Sequence, residues 1–275
     1  MEKTWRLIDS GRCDPAFNMA LDESLALSVR QDSSPPVLRF YGWKIPSITL
    51  GCFQKLSDID LEYCQAQKIP VVRRPTGGRA ILHDAELTYS FSAKTDSDFF
   101  SGGLLNSYRN ISQAFQQAFC HIGLKADARG EREKGAVLAG SPLCFQSSSY
   151  GELLLGSRKV VGAAQKRWAD GFLQQGSLPY EHNEELMSRI FRVSRQDLRR
   201  CMTGLRDTVP EFDEARLKEA LTAAFEDRFD VRLAASSPSP AEVQQAEILL
   251  EQKYHLDSWN LVLPFRGGAP RAGPV

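Results

Sequence analysis

Residues 73–84, which read RRPTGGRAILHD, decide the fold. Residues 69–72 are mostly apolar and predict a short buried strand before this stretch, and the alternation in residues 87–92 predicts a second strand after it. Between the strands, Gly77 and Gly78 allow positive φ angles and let another molecule approach the main chain closely. Exposed N–H groups beside arginines suit a carbonyl, carboxylate or phosphate. A plain Gly-Gly turn with solvated arginines is the competing interpretation.

The composition is that of an ordinary globular protein and excludes several function classes. The 275 residues carry 34 Lys+Arg and 34 Asp+Glu, so no overall field attracts nucleic acid or an anionic membrane. No segment has the length of a membrane span and the first residues do not resemble a signal peptide, so we expect a cytoplasmic protein with no nucleic-acid or membrane partner. The six cysteines lack metal-ligand spacing, which predicts free thiols and no metal.

Along the chain, strand and helix patterns alternate irregularly. Asp14 and Pro15 predict a helix start, and an apolar stripe predicts a long helix over residues 104–122. Residues 152–155 and 158–164 predict a hairpin. The other predicted elements are strands at 37–41, 47–51 and 172–177, helices at 60–67 and 239–253, and a helical pattern from 181 to the end. Without a regular β-α-β order, this mixture favours an α+β fold with a largely antiparallel sheet.

Residues 73–84 resemble the signature of the lipoate–protein ligase and octanoyltransferase family, whose fold is shared with biotin protein ligase. A second segment, with SPLCF at 141–145 and RKVVGAAQ at 158–165, resembles the cysteine-bearing loop and the Lys-x-x-Gly-x-Ala-Gln strand of octanoyltransferases of the Gram-positive type. The resemblance implies a biotin/lipoate ligase-like catalytic domain, with a large mixed, mostly antiparallel sheet, a small sheet and flanking helices. We expect this domain over residues 1–235, a helical extension over 236–263 and a disordered tail over 264–275.

The resemblance also implies a catalytic pair, Cys144 and Lys159. In the family, a cysteine in this loop carries the acyl group, and a nearby ammonium favours the thiolate that must attack. From the residues alone, a strand lysine such as Lys159 is usually a solvated surface residue, and in the hairpin it lies across from Leu154 rather than from Cys144. Three other cysteines, Cys64, Cys120 and Cys201, are interpreted as small buried apolar residues.

The same resemblance implies a substrate site formed by residues from both segments. Its members are Arg73, Gly77, Gly78, Arg79, His83, Gly162 and Ala164. His83 has a second interpretation, in which its neighbour Asp84 fixes the ring so that it only holds the loop. The acyl chain needs an apolar slot, and its expected walls are Val71, Val72 and Ile81.

The function implied is the transfer of an octanoyl group from octanoyl-acyl carrier protein to a lysine of a lipoyl domain. Expected acceptors are the glycine cleavage H protein and the acyltransferase subunits of 2-oxoacid dehydrogenases, with a Cys144 thioester as intermediate and no cofactor. Three alternatives stay open. The first is an ATP-dependent lipoate ligase, which usually has a third glycine where this chain has Arg79. The second is an amidotransferase between lipoyl domains, which usually lacks the histidine found here as His83. The third is a non-enzymatic relative that binds lipoyl domains.

Overall fold

The structure, a computed structural model, describes residues 3–128, 153–209 and 211–262 and contains two sheets with helices around them. The strands are β1 (Lys3–Cys13), β2 (Val37–Trp43), β3 (Ser47–Leu50), β4 (Val71–Arg73), β5 (Ile81–His83), β6 (Glu86–Lys94), β7 (Asp127–Ala128), β8 (Leu153–Leu155), β9 (Arg158–Arg167), β10 (Gly171–Pro179) and β11 (Val231–Ala235). The helices are α1 (Pro15–Arg30), α2 (Leu61–Ala66), α3 (Gly103–His121), α4 (Glu184–Phe191), α5 (Arg195–Cys201), α6 (Glu214–Phe229), α7 (Pro240–Leu249) and α8 (Asp257–Asn260). A 3-10 turn at Leu56–Asp58 and a π-helical turn at Leu250–Tyr254 complete the described elements.

The large sheet has the strand order β11-β1-β2-β6-β10-β9-β8-β7, and the small sheet has the order β4-β3-β5. Strand β1 runs parallel to both β2 and β11, and β3 runs parallel to β4. The other pairings in both sheets are antiparallel. This arrangement confirms the predicted α+β class, with a large mixed and mostly antiparallel sheet and a small one.

Helices cover the two faces of the large sheet in different ways. On one face, α3 and α6 pack an aromatic core in which Phe91 of β6 meets Phe225 and Phe229. On the other face lies α1, which begins where the sequence predicts, with the Asp14 side chain accepting a hydrogen bond from Ala16 N and Pro15 in the first turn. The long helix α3 also forms where predicted and buries its apolar stripe from Ile111 to Phe119, whereas Leu104 at its start is exposed.

The prediction of a helical pattern from residue 181 to the end is wrong at β11. Helix α6 ends at Phe229, Asp230 adopts a left-handed conformation with φ 51°, and the chain then runs extended beside β1. Val231 and Leu233 are buried while Arg232 between them is exposed, which is the alternation of a half-buried strand. A run of five residues between two helices gives little periodic signal, and its partner β1 lies at the opposite end of the sequence.

The C-terminal helices pack on the rest of the fold. The predicted helix at 239–253 begins as α7 with a capping box, in which Ser239 and Glu242 bond each other's main chain. Tyr254 is buried in the core around α1, and Lys253 Nζ lies 2.6 Å from Glu23 Oε2 of α1. Segment 236–262 therefore shares a core with residues before it. The predicted tail at 264–275 lies outside the described residues.

Helix α8 completes the outer edge of the small sheet, where β4 is the edge strand. Trp259 Nε1 donates to Arg73 O at 2.8 Å, and Arg73 N donates to Asn260 Oδ1 at 3.0 Å. In return, Arg73 Nε donates to Trp259 O at 3.0 Å. An edge strand presents unpaired main-chain groups, and these contacts satisfy them at the residue that leads into the 73–84 loop. No helix in the described ranges is long and apolar enough to cross a membrane.

Asn260→Ala should lower the free energy of unfolding by about 1–3 kcal/mol, because it leaves the buried Arg73 N–H without its acceptor. Urea unfolding followed by far-UV circular dichroism measures the change. Val262→Ala is the matched control, since Val262 is 59% exposed two residues further on. Equal stabilities of the two variants would show that α8 does not hold the edge of β4.

Candidate active site

The loop between β4 and β5 is held from the interior by Arg74, whose side chain is buried. Arg74 Nη2 donates to Gly77 O at 2.6 Å and to Arg79 O at 2.8 Å, and Nη1 donates to Thr49 O at 3.2 Å. In a planar trans peptide the C=O and N–H point in opposite directions. Because Gly77 O faces the guanidinium, the N–H of Gly78 in the same peptide points away from it.

Of the two glycines, Gly78 is the one that adopts the positive φ angle that the sequence allows for the pair. It has φ +89° and is exposed, whereas Gly77 is not among the described residues with positive φ. A Cβ at Gly51 would collide with Gly78 O, and Cys52 N donates to Thr76 O at 2.9 Å. The two loops thus pack main chain against main chain at Gly51 and Gly78, and the approach of another molecule to the glycine pair stays a prediction.

A small cavity of about 20 Å³ lies next to this loop, between α1, β9, β10 and the small sheet. This volume is far below the ~300–1,000 Å³ that small-ligand sites occupy, so the cavity marks a lined site rather than a preformed pocket of ligand size. Met19, Trp43, Ile81 and Ala164 give it apolar walls, and a Cβ placed on Gly78 would lie 3.6 Å from Ala164 Cβ. Apolar walls near the Gly78 N–H suit an aliphatic chain that ends in a carbonyl.

His83 lines the same cavity and has both ring nitrogens engaged. Nδ1 lies 2.7 Å from Glu86 Oε1 and Nε2 lies 2.8 Å from Thr49 Oγ1, while the ring stacks on Trp43 with centroids 4.0 Å apart. The expectation that Asp84 fixes the ring is wrong, because Asp84 is exposed and Glu86 on β6 is the partner.

The carboxylate of Glu86 is the buried anion of this part of the site. Burial acts to raise the pKa of Glu86, but attraction to His83 and hydrogen bonds from His83 and Ser177 outweigh it, and the pKa lies below its ordinary value. Ser177 Oγ donates to Oε2 at 2.7 Å, and Thr88 also donates to this carboxylate. Glu86 is therefore an ionised acceptor that holds the His83 ring in place.

Strand β9 carries Lys159, Gly162 and Ala164. Lys159 is buried and lies opposite Leu154, which confirms the predicted register, and its main-chain oxygen accepts from Thr203 N at 3.1 Å. The register then shifts by one residue, so β9 has a bulge directly after Lys159. Ala163 and Ala164 line the cavity. Lys159 precedes Ala163 by four residues, which is roughly 13 Å along an extended strand.

Arg73 is not brought to the cavity. Its fully buried guanidinium donates to Gly51 O at 2.9 Å and to Gln54 O at 2.8 Å, and burial lowers its pKa. The adjacent Arg74 lines the cavity instead. The implied substrate contact of Arg73 stays a prediction, but the described contacts give this residue a structural function.

Other expectations divide in the same way. Of the expected slot walls, Ile81 lines the cavity, whereas Val72 packs in the core around α1 and Val71 packs on the small sheet. Among the cysteines interpreted as buried, Cys64 is buried, and burial together with Asp60 raises the pKa of its thiol to about 11. Cys120 is exposed near the end of α3, contrary to expectation. Cys144 lies outside the described residues.

Sequence reasoning missed several residues of the site. Arg74 stands inside the quoted signature, but nothing in the sequence separates it from Arg73. Glu86 follows His83 by three positions, and this spacing across a tight turn is the signal that could have identified it. Thr49 and Trp43 come from strands whose local patterns carry no functional signal. Within the described ranges, no three His, Cys, Asp or Glu side chains lie together as metal ligands.

Comparison with known structures shows the fold. A lipoate-protein ligase A bound with ATP superposes with a TM-score of 0.79 at 22% identity, covering 96% of this chain and 100% of that one. Protein Ta0514 of T. acidophilum with bound lipoic acid gives a TM-score of 0.77 at 22% identity, covering 95% and 99%. The biotin/lipoate ligase-like architecture expected from the sequence is therefore confirmed.

Comparison with known sequences shows the family. The octanoyltransferase LipM of Bacillus subtilis (strain 168) is 35% identical over 275 residues, covering 94% of this chain and 98% of the relative. The LipM of Geobacillus kaustophilus is 36% identical with the same coverage. The family model of the lipoyl protein ligase A/B catalytic domain matches residues 14–226. This protein is thus an acyltransferase and belongs to the lipoyl protein ligase A/B catalytic domain family.

Proposed function

We propose that this protein transfers an octanoyl group from octanoyl-acyl carrier protein to a lysine of a lipoyl domain. The observation that carries the proposal is the apolar cavity beside the Gly78 N–H, in a chain about one-third identical to octanoyltransferases. The acceptors we expect are the glycine cleavage H protein and the acyltransferase subunits of 2-oxoacid dehydrogenases. The reaction needs no cofactor, because the donor thioester already activates the acyl group. We place it in the cytoplasm, where the thiols stay reduced.

In the first half-reaction, the thiolate of Cys144 attacks the carbonyl carbon of the donor thioester. A new C–S bond forms to Cys144, negative charge develops on the carbonyl oxygen, and the bond to the carrier sulfur then breaks. The carrier leaves as a thiol after taking up one proton. The Gly78 N–H, turned away from Arg74, is suited to donate to the oxygen as its charge develops.

In the second half-reaction, the neutral ε-amine of the acceptor lysine attacks the octanoyl-Cys144 thioester. A C–N bond forms, the C–S bond breaks, and the amine loses one proton as the amide is made. The thiolate of Cys144 is regenerated. Two steps through one covalent intermediate predict ping-pong kinetics, with the carrier released before the acceptor reacts.

We assign to Lys159 the role of stabilising the thiolate of Cys144. An ammonium close to a thiol lowers the pKa of the thiol, since it stabilises the charged form. Lys159 is buried on β9, the strand that also supplies Ala164 to the cavity, so a charge here acts in a region with little water. Gly162 lies between Lys159 and Ala164 on β9, opposite Ser177 of β10. It adds no side chain to the strand between those two residues.

A three-way assay tests the reaction class. The protein is incubated with octanoyl-acyl carrier protein, with octanoylated H protein, or with lipoate, ATP and Mg²⁺, each together with unmodified H protein of distinct mass. Intact mass spectrometry then identifies the acylated species. Transfer only from the carrier protein supports the proposal. Transfer from H protein would favour the amidotransferase, ATP-dependent transfer the ligase, and no acylation a binding protein.

Cys144→Ala should abolish both the octanoyl adduct on the enzyme and all transfer to the acceptor, because the nucleophile is lost. Intact mass after mixing with octanoyl-acyl carrier protein measures the adduct. Cys120→Ser is the matched control, since this exposed thiol on α3 should be dispensable. An adduct that persists in Cys144→Ala and disappears in Cys120→Ser would show that Cys120, and not Cys144, is the nucleophile.

Lys159→Met should move the pH dependence of Cys144 alkylation by iodoacetamide to higher pH. The substitution keeps the length of this buried side chain and removes its charge, so the thiol loses a neighbour that lowers its pKa. Each pKa unit corresponds to about 1.4 kcal/mol. The alkylation rate is followed in a background in which the other cysteines are replaced, and transfer near neutral pH should fall in step.

Lys159→Arg is the charge-preserving control, and its curve should stay near that of the wild type although its planar head fits less well. If transfer is lost in Lys159→Met while the alkylation curve does not move, Lys159 does not set the thiol pKa. Its function would then lie in carrying a proton or in contacting the acyl carbonyl.

A further inference from the structure

A buried carboxylate, Asp22 on α1, gathers donors from four strand residues beneath the cavity. Arg39 Nη1 donates to Oδ1 at 2.7 Å and Ser90 Oγ donates to the same oxygen at 2.6 Å. Tyr41 OH donates to Oδ2 at 2.8 Å and Gln175 Nε2 donates to it at 2.7 Å. Neither Asp22 nor Arg39 has any exposed side-chain surface. This cluster is therefore a rigid, fully buried anchor.

Gln175 connects the anchor to the loop between β4 and β5. Its Oε1 accepts from Thr76 Oγ1 at 2.9 Å, and Arg74 Nε lies 3.2 Å from the same hydroxyl. An ionised carboxylate only accepts hydrogen bonds, so the amide must turn its NH₂ toward Asp22 and its oxygen toward Thr76. The hydroxyl must then donate to Gln175 and accept from Arg74. Every bond from Asp22 to Arg74 has a single direction.

This series of hydrogen bonds ends at the Gly77–Gly78 peptide, whose N–H would stabilise the oxyanion. Arg74 Nε lies 3.1 Å and Nη2 2.6 Å from Gly77 O. Gly78 is exposed and has no side chain of its own to fix the orientation of this peptide. A flipped peptide would turn its N–H toward the guanidinium and its carbonyl outward, which exchanges an attractive contact for a repulsive one. The orientation of this peptide thus depends on the position of Arg74.

We infer that Thr76 and Gln175 are positioning residues that fix Arg74, and through it the outward orientation of the Gly78 N–H. Burying the Asp22–Arg39 ion pair costs desolvation energy that apolar packing would avoid, so its contribution is better sought in orientation than in stability. The inference rests on the proposed function, because an oriented donor matters only if an acyl oxyanion forms.

Thr76→Val and Gln175→Met test this positioning, since each keeps the size of its side chain and removes the hydrogen bonds. Two rates at Cys144 are compared. Acylation by octanoyl-acyl carrier protein in a single turnover passes through an oxyanion, whereas alkylation by iodoacetamide does not. We expect acylation to fall on the order of 100-fold, as for a misplaced catalytic group, with less than about a twofold change in alkylation.

Ser90→Ala is the matched control, because Ser90 bonds to Asp22 but does not lie between Asp22 and the loop. It should leave both rates unchanged. Hydrogen exchange of the loop, residues 74–80, adds a readout that needs no substrate. Exchange should be faster in Thr76→Val and Gln175→Met than in Ser90→Ala.

The outcomes separate the two proposals. Acylation and alkylation that fall together, or an acylation rate that does not change, would overturn the positioning by Thr76 and Gln175. Unchanged loop exchange in both variants would overturn it as well. A wild-type protein that accepts no octanoyl group from the carrier protein would overturn the proposed function, while the exchange measurement still decides whether the chain orients the loop.

Discussion

The guanidinium groups of Arg39, Arg73 and Arg74 impose the main constraint on this fold, because each brings five N–H donors into the interior. Buried donors without acceptors are costly, so the chain must supply oxygens around them. Arg39 uses the carboxylate of Asp22, whereas the other two use main-chain carbonyls of the loops that meet beside the cavity. Where Gly77 O turns toward Arg74, the N–H of the same peptide, that of Gly78, points away from the guanidinium. The Gly78 donor of the candidate site thus follows from the need to satisfy a buried arginine.

The arrangement separates two tasks that an acyltransferase must combine. The apolar walls suit an aliphatic chain, while His83 at the cavity bonds to Glu86, and Gln175 at the cavity bonds to Asp22. Glu86 and Thr88 are the residues of β6 that take part. They alternate with Leu87, Tyr89 and Phe91, which pack under α3 and α6. One strand therefore joins the aromatic core to the hydrogen-bonded base of the cavity.

Local signals in the sequence predicted local structure well. The cap at Asp14, the stripe of α3 and the register of Lys159 opposite Leu154 all depend on neighbouring residues. What the sequence could not show depends on distant partners. Residues 87–92 form the predicted strand, but only the fold shows that both faces of β6 are buried, with α1 on the polar face through Ser90 and Asp22. Likewise, the contacts that distinguish Arg73 from its neighbour Arg74 include one to Trp259, far away in sequence.

The bonding of α8 to Arg73 affects how the protein is made as well as how it is held. Glu23 and Lys253, which pair near this contact, are 230 positions apart. Closing so long a loop is entropically costly and contacts between such distant residues slow folding. During synthesis, the strand that leads into the loop between β4 and β5 gains these contacts only after α8 has left the ribosome. Until then the edge of the small sheet stays open.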